Sequence, residues 1–327
     1  MNLSTPATPV ADLVDLQPSR ERIAADVVAG LSAVPRRLPS KYFYDARGSE
    51  LFERITHQPE YYLTGVEIAL MEARMADIAR AVGPALHVVE YGSGSGRKTG
   101  ILLAGLDDVV AYTPIEISRD ALLHSVERLE ARFGGVEMLP VCADFTRPVQ
   151  LPAPGREARR RLAFFPGSTL GNFERDEAVG LLRAMRDTVG TDGQALIGID
   201  LDKDPEVIEA AYNDAAGVTA EFTLNLLARL NREIGSDFDL GQFRHRARYS
   251  QERRRIETFL VSQCAQRVHV GGQAFDFVAG EAMLVETSHK YTDADFAAMA
   301  GEAGWQVAQA WNDPKDWFGL RLLRSAS

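Results

Sequence analysis

The stretch VVEYGSGSGRKTG (88–100) places glycines at 92, 94 and 96, directly after an apolar run and directly before a helix-like segment. A glycine-rich turn at a strand-to-helix junction restricts the chain to an α/β architecture whose turn approaches a nucleotide-like molecule closely. The dinucleotide fingerprint Gly-x-Gly-x-x-Gly would need its last glycine at 97, where the chain has Arg97. An arginine there obstructs the close helix–strand packing that this glycine permits. The stretch spells instead Glu90-x-Gly92-x-Gly94-x-Gly96, an acid followed by alternating glycines.

The surrounding pattern agrees. Short apolar strands at 85–92, 109–118, 136–145, 161–173 and 194–201 alternate with helical stretches at 97–106, 119–135 and 175–193. That alternation argues for a doubly wound, mostly parallel sheet with helices on both faces. After residue 204 it stops. Residues 205–235 read as mostly helical, and 253–292 are rich in β-formers with a hairpin signal at Gly271-Gly272. The tail reads as a helix (293–305) and two strands around a Pro/Asp turn (306–325). Upstream, 20–33 is one helix and 49–83 two helices parted by a loop at 58–64. We expect a core of residues 66–201 and 292–327, a second α+β unit of residues 17–65 and 202–291, and a loose arm at 1–16.

Composition bounds the function. The net charge of -10 and the interrupted basic runs at 156–161 and 244–255 read as solvated faces rather than a nucleic-acid footprint. Cys142 and Cys264, the only cysteines, have apolar neighbours and no metal-like spacing, so no metal is expected. No apolar run approaches membrane-span length, and no signal-like start is present, so a cytoplasmic protein is expected without a membrane partner.

Three acids mark one rim of the sheet: Glu90, Glu116 in TPIEIS and Asp144 in CADF, each near the end of a successive strand. Ligands of open α/β sheets bind at that rim. Glu116 suits two ribose hydroxyls, and Asp144 with Phe145 suits the amino group and face of an adenine. Each could also merely begin a loop. Lys98 is either a solvated helix residue or a partner for a ligand carboxylate. Asn172, in GSTLGNF, is either a turn residue or an amide facing an acceptor. Glu286 and Ser288, two apart, share one strand face. By themselves they read as the wet face of a half-buried sheet.

The acid–glycine turn resembles motif I of the Rossmann-like class I S-adenosylmethionine methyltransferases. Further stretches occur in a telling order: KYFYDARGSELFERITHQPEYY, EYGSGSGRKT, GSTLGNF, DLDKD, YNDAAGVTAEFTLNLLARLNRE, DFDL and AMLVETS. Together they resemble the L-histidine Nα-methyltransferases of the ergothioneine pathway, from about residue 20 to the C-terminus. The resemblance implies a class I methyltransferase core, a mostly parallel sheet with a C-terminal antiparallel strand, plus a substrate-binding domain. It implies S-adenosylmethionine as cofactor, held by Glu90, Gly92, Ser93, Gly94, Lys98, Glu116, Asp144 and Phe145. It implies trimethylation of the α-amine of L-histidine, by way of mono- and dimethyl forms, to hercynine; another aromatic amino acid such as tryptophan is the alternative. The substrate carboxylate would fall to Asn172 and Tyr212, and the imidazole to Tyr61, Glu286 and Ser288. Tyr44 and Phe52 would border the amine, Tyr44 helping to remove its proton, and Gly167 would offer a backbone carbonyl. Thr258, just after RIE, replaces a larger apolar residue of the family's pocket, which loosens selectivity around the ring. Glu116 replaces an aspartate and keeps its charge. A monomer is expected. The rivals are an NAD-dependent oxidoreductase and a non-catalytic cofactor-binding protein.

Overall fold

The computed structural model describes residues 14–16, 19–94, 96–146 and 149–326. In chain order the elements are β1 (Val14–Leu16), α1 (Arg20–Ser32), α2 (Ala46–Ile55), α3 (Tyr62–Val82), β2 (Leu86–Tyr91), α4 (Arg97–Gly105), β3 (Val109–Glu116), α5 (Arg119–Arg132), β4 (Glu137–Met138), β5 (Val141–Ala143), β6 (Arg160–Phe165), α6 (Arg175–Val189) and β7 (Gln194–Asp200). They continue with α7 (Pro205–Ala211), α8 (Val218–Ile234), β8 (Phe243–Ser250), β9 (Arg255–Ser262), β10 (Gln266–Val270), β11 (Gln273–Phe277), β12 (Ala282–His289), α9 (Asp293–Glu302), β13 (Trp305–Asn312) and β14 (Phe318–Ser325).

The large sheet runs β1-β5-β3-β2-β6-β7-β14-β13, with β4 also on β3. All its pairings are parallel except β7–β14 and β14–β13. The doubly wound reading and the C-terminal antiparallel strand are both present. Alternate residues of each strand feed two cores. Val89, Ile115, Phe165 and Ile197 pack under α6 and α9, and Val88, Tyr112, Phe164 and Leu196 pack under α3, α4 and α5. Each such buried apolar side chain contributes roughly 1.5–3 kcal/mol. The chain leaves β2 toward β3 and β5, then returns to β6 on the other flank of β2. A crevice therefore opens at the carboxyl ends of β2 and β6, the topological switch point.

A third core joins α1, α2, α8 and the strands β8–β12, with Tyr42, Phe43, Phe222, Phe277 and Met283 buried in it. Its sheet is antiparallel, ordered β12-β9-β8, and a β10–β11 hairpin turns at Gly271 and Gly272, both at positive φ. That turn had been expected from the Gly-Gly pair.

Three local expectations need correction. The segment 136–145 is two strands, not one. Tyr112 pairs with Met138 and Ile115 with Val141, so Thr113-Pro114 face Leu139-Pro140. Two prolines without N–H groups interrupt the ladder at that point. The basic run at 244–255 includes an unanticipated strand, β8, on which Arg244, Arg246 and Arg248 are exposed while Phe243 and Ala247 are buried. The arm expected at 1–16 ends in β1, which pairs in parallel with β5 through Val14–Val141 and Leu16–Ala143; residues 1–13 lie outside those described.

Glycine 198, mid-β7, has ordinary backbone angles, but a Cβ there would overlap Glu67 Oε1 and lie 3.1 Å from the Phe318 ring. Glu67 is wholly buried and cannot retreat to water. Gly198→Ala should therefore cost about 1–3 kcal/mol through overpacking. A thermal melt should fall by several degrees; an unchanged Tm would show that the Glu67 site yields.

Candidate functional site

At the end of β2 the chain turns through Gly92, Gly94 and Gly96, all at positive φ, and Gly92 N–H donates to Ile115 O at 2.8 Å. Such backbone is open to glycine at little cost. Gly96 also permits a close approach, since a Cβ there would lie 2.8 Å from Ser125 Oγ. Glu116, ending β3, is buried beside the turn and accepts from the N–H groups of Ile117 (2.9 Å), Ser118 (3.3 Å) and Gly94 (3.4 Å). Burial pushes its carboxyl above the ordinary range, against those bonds. Ser93 Oγ is buried in the same turn without a hydrogen-bond partner among the described residues. Past β5, the Phe145 ring stands edge-on to Tyr91 and Phe165, with its Cε1 3.7 Å from where a Gly92 Cβ would be.

Asp144 and Glu90 are placed differently from the expectation. Asp144 accepts from Lys41 Nζ (3.0 Å) and from Thr146. Burial pushes its carboxyl up, but the Thr146 and Lys41 bonds outweigh it and leave it lowered. Lys41 reaches across from beside the third core, so Asp144 is already bridged to that part of the fold. Glu90 Oε2 accepts from Thr99 and Tyr112, beneath the turn rather than in its mouth. Burial raises it to about 8. Glu90 therefore braces the start of α4. Lys98, for which two environments were open, pairs with the buried carboxylate of Glu67.

Across the crevice, β6 ends in Pro166 and a tight loop. Gly167 (φ 80) and Ser168 (φ 56) are both left-handed. A non-glycine residue in that region stores of order 1–3 kcal/mol and persists only when its surroundings enforce it. Four contacts do so here. Gly167 N–H donates to both Glu67 oxygens (2.9 and 3.0 Å), Asp200 N–H donates to Ser168 Oγ (2.8 Å), and Gly171 N–H donates to Ser168 O (2.8 Å). Gly171 also packs against β12, where a Cβ would stand 2.8 Å from His289 O. The loop thereby delivers Asn172, which has no side-chain hydrogen bond among the described residues, to the wall of a cavity.

That cavity lies between the crevice and the third core. It brings together Tyr44, Phe52, Tyr61, Gly167, Asn172, Tyr212, Glu286 and Ser288, with Phe222, Thr219 and Ser168. The aromatic rings brace one another edge-to-face: Tyr44 on Phe52 (5.8 Å), Phe52 on Tyr61 (6.2 Å) and Tyr61 on Tyr212 (6.2 Å). Tyr212 is the residue that closes α7, not a helical position. Its hydroxyl is 2.8 Å from Ser288 Oγ, so residues expected at opposite ends of a ligand touch each other. Thr258 is buried beside Glu286 as its cross-strand partner, not on the cavity wall, and its hydroxyl has no partner.

Glu286 makes no hydrogen bond among the described residues. Burial raises its carboxyl to about 7, with Lys290 pulling it back. The Tyr44 phenol is pushed well above its usual range by burial, then by Glu286, Tyr61 and Glu116. A neutral phenol thus stands between the acid of the cavity and the acid of the glycine turn.

Sequence reasoning missed the support beneath this wall. Asp200 ends β7 and receives Tyr62 (2.8 Å), Lys203 (2.6 Å) and Lys290 (2.7 Å). The DLDKD stretch, the second tyrosine of PEYY and the i+2 spacing of 286, 288 and 290 were the available signals. Glu67 left none, because a buried acid inside a helix looks like any other helical acid. Among the described residues no group of side chains could hold a metal ion, and no helix is long and apolar enough to cross a membrane.

A family model described as "Histidine-specific methyltransferase, SAM-dependent" matches residues 23–325. A histidine N-alpha-methyltransferase of Mycolicibacterium smegmatis is 39% identical over 96% of this chain and 98% of its own. Another, of Mycobacterium tuberculosis, is 39% identical over 91% and 93%. An L-tryptophan methyltransferase of Psilocybe serbica is 26% identical over 97% and 98%.

The Glu286 environment has a thermodynamic signature. An acid whose folded-state value exceeds its unfolded one binds protons more tightly when folded. Its contribution to stability therefore falls as pH rises from 4.5 to about 7. At about 1.4 kcal/mol per unit the cost above that window is on the order of 3 kcal/mol. Glu286→Gln should therefore raise the Tm at about pH 8 and change it little near pH 4; an equal shift at both would show that the carboxylate is not strained by burial.

Proposed function

The chain belongs to the histidine-specific, S-adenosylmethionine-dependent methyltransferase family, and we propose that it transfers three methyl groups in succession to the α-amine of L-histidine. The product is hercynine, at the first step of ergothioneine biosynthesis. The observation that carries this reading is the cavity's uneven polarity. An unpaired, half-buried carboxylate, Glu286, and hydroxyl and amide groups at Ser288, Tyr212 and Asn172 stand among aromatic walls beside the loop that follows β6.

The turn suits the cofactor. Ser93 Oγ is buried without a partner, Gly92 carries no Cβ into the space before the Phe145 ring, and Glu116 keeps acceptor capacity beyond its backbone bonds. When bound, S-adenosylmethionine supplies a methyl group on a sulfonium, which needs no further activation. What the chain must supply is position and dryness. Gly92, Ser93, Gly94 and Glu116 would hold the cofactor, Phe145 would cover its base, and Asp144 would share it with Lys41. Glu90 and Lys98 would act indirectly, through α4 and Glu67.

On the substrate side, Asn172 and Tyr212 are suited to the carboxylate. Glu286 suits a ring N–H, with Ser288 and Tyr61 offering hydroxyls to the ring. An indole has one ring nitrogen and would leave one of these groups without a partner, which favours histidine over tryptophan. Burial among Tyr44, Phe52 and Phe222 disfavours an ammonium, so the amine is held neutral for attack. Tyr44 keeps its own proton, so its role is to pass the amine's proton along a hydrogen bond rather than to act as a phenolate base. Thr258 would influence the ring only through Glu286.

The test is incubation with S-adenosylmethionine and a panel of amino acids, scoring products by mass. Histidine should be carried to the trimethyl form; product from tryptophan and none from histidine would overturn the reading. Asn172→Ala should raise the KM for histidine about tenfold or more, the range for losing a hydrogen bond to a charged group. Calorimetry should show cofactor affinity unchanged; an equal loss of both would remove Asn172 from the substrate side.

A further inference from the structure

Beneath the cavity lies a buried polar cluster that none of the roles above uses. Lys290 follows β12, and its side chain is fully buried. An ammonium has three N–H donors and no lone pair. All three are accounted for: Asp200 Oδ2 at 2.7 Å, Ser288 Oγ at 2.9 Å and Tyr212 OH at 3.1 Å. Asp200 is held in turn by Lys203 and Tyr62.

This arrangement fixes proton directions. Lys290 donates to both hydroxyl oxygens, so neither hydroxyl can point its hydrogen at the lysine. Tyr212 and Ser288 are 2.8 Å apart and share one hydrogen between them. Whichever of the two donates, one hydroxyl hydrogen remains, and both residues line the cavity. One lone pair remains as well, on the hydroxyl that donates to the other, so the corner offers one hydrogen and one acceptor position, both turned away from the lysine. If Tyr212 turns from Ser288 to a ligand, both hydrogens become available, and Lys290 still holds both oxygens as acceptors. Charge acts in the same sense. The two buried lysines that share Asp200 place a positive charge beneath the cavity beyond what that carboxylate neutralises, on the side away from the Glu286 acid of the wall.

We propose that Lys290 is a positioning residue which turns the hydroxyl hydrogens of Tyr212 and Ser288 away from itself toward the cavity and gives the cavity its preference for an anionic carboxylate over a neutral carboxamide. This rests on the histidine reading above. The residue does not touch the reacting amine; it acts through the two hydroxyls and through its field.

The experiment compares L-histidine with L-histidinamide, which differs in the carboxylate alone, in the wild type and two variants. Lys290→Met removes the ammonium. Lys290→Met with Asp200→Asn removes it without leaving a bare buried carboxylate, and a thermal melt confirms folding. Loss of a hydrogen-bonding charge corresponds to about tenfold or more. We expect the KM for histidine to rise by that much, with kcat changed far less. Histidinamide should lose little, so the preference for the acid over the amide should collapse. Cofactor affinity by calorimetry should stay within about twofold, the usual scatter for a site not in contact. If both substrates lose equally and the preference survives, Lys290 is a structural support only and the inference falls. If the wild type methylates no histidine at all, the histidine reading fails and takes this inference with it. A wild type that methylates histidine but shows no preference over histidinamide overturns the inference alone.

Discussion

The buried carboxylate of Glu67 joins the two halves of the site. It accepts the Gly167 N–H with both oxygens and pairs with Lys98 at the start of α4. It therefore ties the helix that follows the glycine turn to the loop that follows β6. These two segments flank the crevice where strand order reverses, and methyl transfer requires them at a fixed separation. A buried charge is costly unless paired and hydrogen-bonded. Glu67 is both, and β7 leaves room for it by having glycine at 198. The left-handed Gly167 and Ser168 are then held by neighbours rather than by their own preferences, as strained backbone at a functional loop must be.

Much of this fold was legible in the sequence because parallel strands and their helices obey short-range rules. Apolar strands alternate with 3.6-residue patterns, and glycines close α6 and open α4. Misreadings came where pairing partners decided the outcome. Nothing local in 136–145 says that Pro140 will face Pro114, yet that match divides the strand. The segment 243–250, with three arginines, looks like a solvated run because only every second or fourth residue, Phe243 and Ala247, is turned inward. The edge strand at Val14–Leu16 depends wholly on a partner far along the chain.

The candidate site shows the same division. Residues that would meet a ligand carry chemical types that stand out: Glu116 at a strand end, Asn172 in a turn, Glu286 and Ser288 two apart. The structure gathers Tyr44, Phe52, Tyr61, Asn172, Tyr212, Glu286 and Ser288 around one cavity although they are scattered over most of the chain. The side chains holding them left weaker signals. Glu67, Asp200, Lys203 and Lys290 are charged residues in ordinary-looking positions, and their burial is a tertiary fact. Glu90 is a related case. Its place beside the glycines suggests a ligand contact, while Thr99 and Tyr112 occupy its carboxylate under the turn.

Polar groups in this protein fall into two populations with different work to do. Glu67, Asp200 and Lys290 are buried and fully engaged, and Glu90 is held through one oxygen; they set geometry and rigidify the frame. Among the described residues, Ser93 Oγ at the turn, Thr219 Oγ1 on the cavity wall and Thr258 Oγ1 behind Glu286 are buried without partners, and Glu286 itself is half-buried without a hydrogen bond. Leaving a buried polar atom unpaired costs roughly 1–3 kcal/mol, and more for a charge. A fold optimised for stability alone would fill those positions with apolar side chains. Their retention makes sense if a ligand completes them, since each unpaired group then discriminates against any molecule that lacks the matching partner. The engaged population makes that discrimination possible, because a donor or acceptor selects only when it cannot turn away.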